Sequence, residues 1–364
     1  MIKKCFRSTN MILRMPEYYK NFTCTADKCS DNCCIGWEID IDSDTADYYN
    51  SVTDDFGTKL RNNISDTDPK SFILGENERC PFLNDRNLCE IILTLGEDKL
   101  CNICTEHPRY YEWFGSIKEG GIGLCCEEAA RIIISADNPS AAYETEIPNE
   151  ENDFEETPLH TCLLGVREKI LAYLMCDSLP LKTKIRDIIS YATLVQNNID
   201  NSIYDIPEII SSAEYDGHRF TDILAFMATL EPIDESWLPY LEKITEMYDT
   251  ACNKKEQFLQ NNPVVKQYLR NIAVYFIWRY FMKGTFDGEI VSRVKLMASS
   301  VAVIGYMYLC KWIESGTLTH EDCAQLAKNY SKEIEYSEEN LEAMLDAAYD
   351  LAAFEDNTLK GLFA

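Results

Sequence analysis

A mainly α-helical protein is expected, built from a small irregular cysteine-rich metal-binding region followed by an all-helical domain. Three observations predict it. Eleven of the sixteen cysteines fall in the first 126 of 364 residues, while the other five are scattered singly over the remaining 238. Residues 136–158, ADNPSAAYETEIPNEENDFEETP, hold eight acids, no bases and three prolines, the composition of a linker or a solvated loop. Beyond them, apolar residues recur at helical spacing. The expected division is therefore a cysteine-rich region over 1–135, an acidic linker over 136–158 and a helical domain over 159–364.

The cysteine-rich run reads C-x4-C-x3-C-C from Cys24 to Cys34, then R-C-P-F-L at Cys80 with Cys89 beyond it. It continues as C-x-x-C-x-x-H-P-R from Cys101 to Arg109 and C-C-E-E-A-A-R from Cys125. Such density needs a local cause. Disulfides belong to oxidising compartments, and the start, MIKKCFRSTNMILRMPEYYK, interleaves Lys3, Lys4, Arg7 and Arg14 with short apolar pairs. No apolar core of signal length is formed, so a cytoplasmic location with reduced thiols is expected. Plain burial suits Cys162, Cys176, Cys252, Cys310 and Cys323, because a free Cys behaves as a small hydrophobe. It does not suit ten cysteines set among Gly, Asp, Asn and Pro. Metal coordination accounts for them best.

Two metals compete for the thiols. Structural zinc prefers paired C-x2–4-C hooks, and Cys101–Cys104 is such a hook, whereas Cys24, Cys29 and Cys33 are more widely spaced. A [4Fe–4S] cluster takes four thiolates with looser spacing. The adjacent Cys33 and Cys34 are expected to point apart, so that both would not bind one small ion. Ten candidates exceed four ligands, which implies either two sites or thiols that only surround one.

The elements follow in order. Residues 1–10 are expected to be loosely held, and Glu17 to Trp37 reads as loop, rich in Asp27, Asp31, Asn32 and Gly36. Glu38 to Asp42 alternates like a short strand, after which Ser43 or Asp44 caps a helix from Thr45 to Val52. Asn84-Asp85-Arg86-Asn87 is turn-forming, so Cys80–Leu83 and Leu88–Cys89 read as the arms of a hairpin. A helix from Glu90 to Leu95 ends at Gly96. Gly120, Gly121 and Gly123 read as a permissive loop, and Cys126 opens a helix to Ile134, where the helix dipole favours a thiolate. After the acidic stretch, helices are expected over Pro158–Cys176, from Pro180, and over Phe220–Leu230, Trp237–Asn253, Pro263–Met282 and Glu289–Ile313. The last, Glu321–Ala353, should break near Tyr336, with Ser337 capping a new start. The uncharged run Leu296–Cys310 is shorter than the about 20 apolar residues of a spanning helix, so a buried core helix is expected.

Charge narrows the partners. The formal net charge is −27, a field that repels phosphate backbones and makes nucleic acid and anionic membranes poor partners. A cationic partner, such as a lysine side chain, would be attracted. The same field also serves plain solubility.

The segments F-T-C-x4-C-x3-C-C-I-G-W-E-I-D-I-D, R-C-P-F-L, L-G-E-D-K-L-C-N-I-C-T-E-H-P-R and C-E-E-A-A-R resemble the flagellin lysine-N-methylase family. That family shares its cysteine signature with a wider zinc- or iron-chelating group. S-K-E-I-E-Y-S-E-E-N-L-E and R-Y-F extend the likeness towards the C-terminus. The resemblance implies a cytoplasmic methyltransferase acting on flagellin lysines, with S-adenosylmethionine as donor and a [4Fe–4S] cluster. The alternative is a non-catalytic flagellin- or protein-binding module with a structural zinc site. The candidate metal ligands are Cys24, Cys29, Cys33, Cys34, Cys80, Cys89, Cys101, Cys104 and Cys126. Cys125 is extra to the family's S-C-P-E-A-A-R pattern, with Glu127 in place of the proline, and is a weaker candidate. Arg109 stands in the family's P-R position, where a guanidinium could grip the donor's carboxylate through a bidentate fork or form a structural ion pair. His107 is expected to orient the turn rather than to ligate. The aromatic run Tyr275–Phe281 reads as core, and Glu338-Glu339 as a solvated face. No alternating strand–helix pattern of a doubly wound methyltransferase follows the acidic stretch, so methyl transfer rests on the resemblance.

Overall fold

The computed structural model describes residues 10–29, 33–36, 38–211 and 215–363. In chain order the strands are β1 (Asn10–Pro16), β2 (Asp40–Ile41), β3 (Lys70–Ser71), β4 (Arg109–Phe114), β5 (Ile117–Ile122) and β6 (Ala142–Pro148). The helices begin with α1 (Ser43–Ser51), α2 (Asp55–Asn62), α3 (Glu90–Leu95), α4 (Asn102–Glu106), α5 (Glu127–Ser135), α6 (Pro158–Met175), α7 (Leu181–Asp200) and α8 (Phe220–Met227). They continue with α9 (Trp237–Glu246), α10 (Tyr248–Asn261), α11 (Val265–Tyr280), α12 (Gly284–Asp287), α13 (Val291–Ser315), α14 (His320–Glu335), α15 (Glu338–Asp350) and α16 (Asp356–Gly361). The protein is mainly α, as expected. It divides into two compact units, one of Thr23–Tyr110 with Cys126–Glu128, the other of Met1–Phe22, Tyr111–Cys125 and Ala129–Ala364.

The smaller, thiol-rich unit packs α1 and α2 over an apolar centre of Tyr49, Leu60, Phe72, Phe82 and Ile91. The rings of Phe72 and Phe82 meet edge to face with centroids 5.0 Å apart. Asp42, rather than Ser43 or Asp44, caps α1, its carboxylate accepting from the Thr45 amide at 3.0 Å. The expected hairpin forms through a bridge between Leu83 and Cys89, and α3 ends at Gly96 with a φ of 103°, a conformation that favours glycine. Asp31, Asn32 and Trp37, read as loop residues, and residues 1–9 lie outside the described residues.

The larger unit carries what the sequence did not announce, a four-stranded sheet of order β4-β5-β1-β6. β1 pairs parallel with β5 and antiparallel with β6. The acidic stretch read as a linker thus contributes β6, whose residues 142–148 run against Asn10–Pro16 over seven residues. Its acids do not need solvent alone, since Glu144 accepts from Arg14 at 2.8 Å and Glu146 from Asn10 at 3.0 Å. Gly120 and Gly121 belong to β5 rather than to a loop, and Gly120's carbonyl accepts from the Trp278 indole at 3.1 Å.

Around that sheet the helices stand near the expected bounds. The pattern over Trp237–Asn253 is broken at Met247 into α9 and α10. The break before α15 falls as expected, with the Ser337 hydroxyl accepting from the Asn340 amide at 3.1 Å. α13 is long and apolar enough, by length and composition, to cross a membrane, yet 72% of its most apolar window is buried inside the protein. It packs against α7, α10, α11, α14 and α15, which is why an uncharged run is tolerated on all its faces.

Candidate metal centre

The thiols of the smaller unit are gathered by three local devices. The first is a backbone link, the Cys80 amide donating to the Cys34 carbonyl at 2.8 Å, beside a bridge between Ile35 and Arg79. The second is the hairpin, closed by Asn84. Its side-chain oxygen accepts from the amides of Arg86 at 2.9 Å and Leu88 at 3.1 Å, folding Cys89 back beside Leu83. The third is the C-x-x-C turn, in which the Cys104 amide donates to the Cys101 carbonyl at 3.1 Å. One helical turn brings residues three apart onto one face, and the two thiols hydrogen-bond each other. Asp42 ties this turn to α1, accepting from the Asn102 amide at 2.9 Å.

The thiols lie near enough to shift one another's ionisation. The thiol of Cys34 is pushed far above its ordinary range by its bond to Cys33, by burial, and by the charges of Cys33, Cys80 and Cys89. Cys104 is pushed up by its bond to Cys101, by burial, and by Cys101, Cys34 and Cys80. Cys80 rises to about 11, chiefly through burial, and Cys89 rises for the same reason. Cys101 moves the other way because Cys104 donates to it, so that pair releases one proton readily and the second reluctantly. Cys80 and Cys101 are buried in the apolar centre, with Cys34, Cys89 and Cys104 against it. The expectation that Cys33 and Cys34 point apart is corrected, since the exposed Cys33 turns its thiol back onto Cys34.

Six of the nine candidate ligands therefore share one neighbourhood: Cys33, Cys34, Cys80, Cys89, Cys101 and Cys104. Cys24 is exposed, its sulfur accepting from the Ala26 amide at 3.4 Å, and the Cys29 thiol donates to Glu127 at 3.6 Å. Cys126 precedes that glutamate at the start of α5. Among the described residues, no three His, Cys, Asp or Glu side chains form a ready-made metal site. The donor set nevertheless suits one in kind and number. Buried thiols that oppose one another's ionisation are costly to deprotonate, and a cation among them would offset that cost. Zinc and iron–sulfur both satisfy this chemistry.

His107 ends α4, and burial lowers its pKa to about 4, with Arg109 adding to the effect. Arg109 donates to the Thr105 carbonyl at 3.2 Å. Cys125 is buried in the larger unit, where burial raises its thiol to about 11 against the pull of Arg279.

The larger unit holds a second polar centre, set in the aromatic run Tyr275–Phe281 that the sequence reads as plain core, while Glu338 and Glu339 are exposed as expected. Glu335 on α14, fully buried, accepts from the hydroxyls of Tyr275 at 2.7 Å, Tyr280 at 2.6 Å and Ser331 at 2.6 Å. Arg279 pairs with it at 3.3 Å and donates to the Tyr275 hydroxyl at 2.9 Å. That hydroxyl also accepts from the Leu124 amide at 3.1 Å. Tyr18 is buried with its hydroxyl unpartnered; burial raises its pKa while Arg279 opposes the rise. The signal was available, because an arginine inside an aromatic run must find an acid when buried.

A family model described as the FliB lysine N-methylase C-terminal domain matches residues 167–362. The flagellar biosynthetic protein FliU of Salmonella muenchen is 28% identical over 127 residues, covering 33% of this chain and 75% of that protein. Lysine-N-methylases of Salmonella choleraesuis strain SC-B67 and Salmonella typhimurium strain LT2 are each 26% identical over 157 residues. Those matches cover 40% of this chain and 37% of either relative, so the chain spans little more than a third of the lysine-N-methylases it matches. No solved structure matches.

Proposed function

The chain belongs to the FliB lysine N-methylase family, and on that premise we propose that it methylates protein lysines. S-adenosylmethionine is the proposed donor and flagellin the proposed substrate. The observation that carries the reading is the family match over 167–362, with the flagellar name of one relative pointing to the substrate. The proposed setting is the cytoplasm, where thiols stay reduced.

The chemistry sets what the residues must do. A lysine ε-ammonium must first lose a proton, because only the neutral amine has a lone pair to displace a sulfonium methyl. The N–C bond then forms as the C–S bond breaks, and the thioether leaves neutral. A net charge of −27 draws a cationic substrate in, an effect that salt screens. Arg109 is the proposed grip on the donor's carboxylate through its planar fork. Cys33, Cys34, Cys80, Cys89, Cys101 and Cys104 are the thiols from which four would hold the metal group. When bound, an iron–sulfur cluster would supply an electron-transfer centre and cross-link the loops, whereas zinc would supply only the cross-link.

The test incubates anaerobically prepared protein with flagellin and methyl-labelled S-adenosylmethionine, then maps methyl-lysine by mass spectrometry. Label on lysine Nε is the expected result. A metal-loaded protein that binds flagellin but transfers no label would overturn it in favour of a binding module.

A further inference from the structure

We propose that Tyr111, Trp113 and Glu150 form a surface seat for an Nε-methylated lysine of the protein substrate, and that the protein's own Lys118 occupies it until displaced. The proposal rests on the methylase reading only for where such a lysine comes from. Tyr111 and Trp113 stand two apart on β4, so both rings project from one face of the strand. Lys118 reaches them from the neighbouring β5. Its Nζ lies 4.5 Å from the Tyr111 ring centroid and 4.6 Å from that of Trp113. Both Glu150 carboxylate oxygens accept from the same nitrogen at 2.9 Å. One ammonium is thus held by two aromatic faces and a carboxylate.

Three features separate this from an ordinary cross-strand ion pair. The carboxylate has a second anchor, the Trp113 indole donating to Glu150 at 2.8 Å, so the seat keeps its shape when the lysine leaves. The occupant arrives on a flexible four-carbon stem, whereas the rings are fixed to a strand. The site is also open on one side, with the Glu150 side chain 42% exposed while that of Lys118 is 14% exposed. An ordinary ion pair would be weakened by methylation, which replaces N–H donors. Aromatic faces need no N–H, since they attract the charge itself, and a quaternary ammonium is well suited to them. The seat therefore fits the product of methyl transfer better than a bare carboxylate would, and holding one methylated lysine would keep a multiply modified substrate close.

The experiment uses the full-length protein without any methyl donor and titrates it by calorimetry with a short peptide carrying Nε-trimethyl-lysine. Lys118→Thr, which suits a strand, should bind at least ten-fold tighter than the unaltered protein, and Lys118→Thr with Trp113→Ala should lose that gain. Lys118→Ala provides a second emptied seat should the threonine variant fail to fold, and circular dichroism checks both. An emptied, folded variant with no gain overturns the proposal, as does one that prefers the unmethylated peptide or binds equally without Trp113. Because no donor is present, the outcome is independent of whether the chain transfers methyl groups.

Discussion

Replacing Glu119 by Gln should destabilise the larger unit by about 3–5 kcal/mol, the cost of breaking a buried ion pair from one side. Glu119 on β5 and Arg167 on α6 have side chains only 6% and 2% exposed, joined by a bond of 2.6 Å from the Arg167 guanidinium. Arg14 adds a third contact at 3.2 Å. It would survive the change, because it keeps Glu144 at 2.7 Å. Arg167 would not, since its remaining Nε already lacks a partner. The Trp278 ring lies 5.0 Å from its guanidinium, yet a cation–π contact is worth about 0.5–2 kcal/mol, too little to replace a carboxylate. Urea unfolding followed by tryptophan fluorescence, which includes this indole, reads the loss. The double variant Glu119→Leu with Arg167→Met should recover most of it, because no charge is then left buried.

The acid limb gives an independent reading of the same pair. Burial acts to raise the Glu119 carboxyl, but Arg167 and Arg14 outweigh it and hold the pKa below the ordinary carboxylate value. Its contribution is therefore complete above that ordinary value and lost as the pH falls through the lower folded one. Glu119→Gln should lack this part of the acid loss. A cost below about 1 kcal/mol, or a double variant as unstable as the two singles combined, would refute the orphaned-charge reasoning.

Three further outcomes follow from the described geometry. Asp42→Ala removes both the cap of α1 and the tie to the C-x-x-C turn, and should cost about 2 kcal/mol on the scale of hydrogen bonds to a charged group, with a lower metal content by elemental analysis; unchanged metal content would detach the turn from that tie. The proposed methyl transfer to flagellin should slow as salt rises from about 50 to 300 mM, since exposed charges are screened within about 10 Å at 0.1 M, and a rate indifferent to salt would remove the acidic surface from substrate capture. Amides of residues 142–148 that pair with β1 should resist hydrogen exchange more than those of 149–157; equal exchange would contradict β6.

How much of this was legible in the chain depended on how local each feature is. Helices such as α3 and the Ser337 start were readable because cap, period and stop lie within one short window. The Asn84 turn was readable for the same reason. The sheet was not, since β1 and β6 pair across some 130 residues and nothing local in MILRMP names a partner. In β6 the acids hid a period-two alternation in which Tyr143 and Ile147 turn partly inward, and Gly120 and Gly121 disguised β5. Among the candidate ligands the C-x-x-C hook declared itself through spacing. The convergence of Cys33 with Cys34 did not, because adjacent residues share a thiol direction only in particular backbone conformations. The Glu335 centre was missed because its acid and its arginine lie on different helices.

Metal and sulfide analysis of the anaerobically purified protein, beside the Cys34→Ser and Cys104→Ser variants, tests the thiol centre most directly. An iron–sulfur centre predicts about four irons and four labile sulfides per chain, with a brown colour that fades in both variants and persists in Cys252→Ser. Stoichiometric zinc without sulfide would replace the cluster by a structural site at the same thiols. A metal content unchanged in both variants would contradict the centre itself.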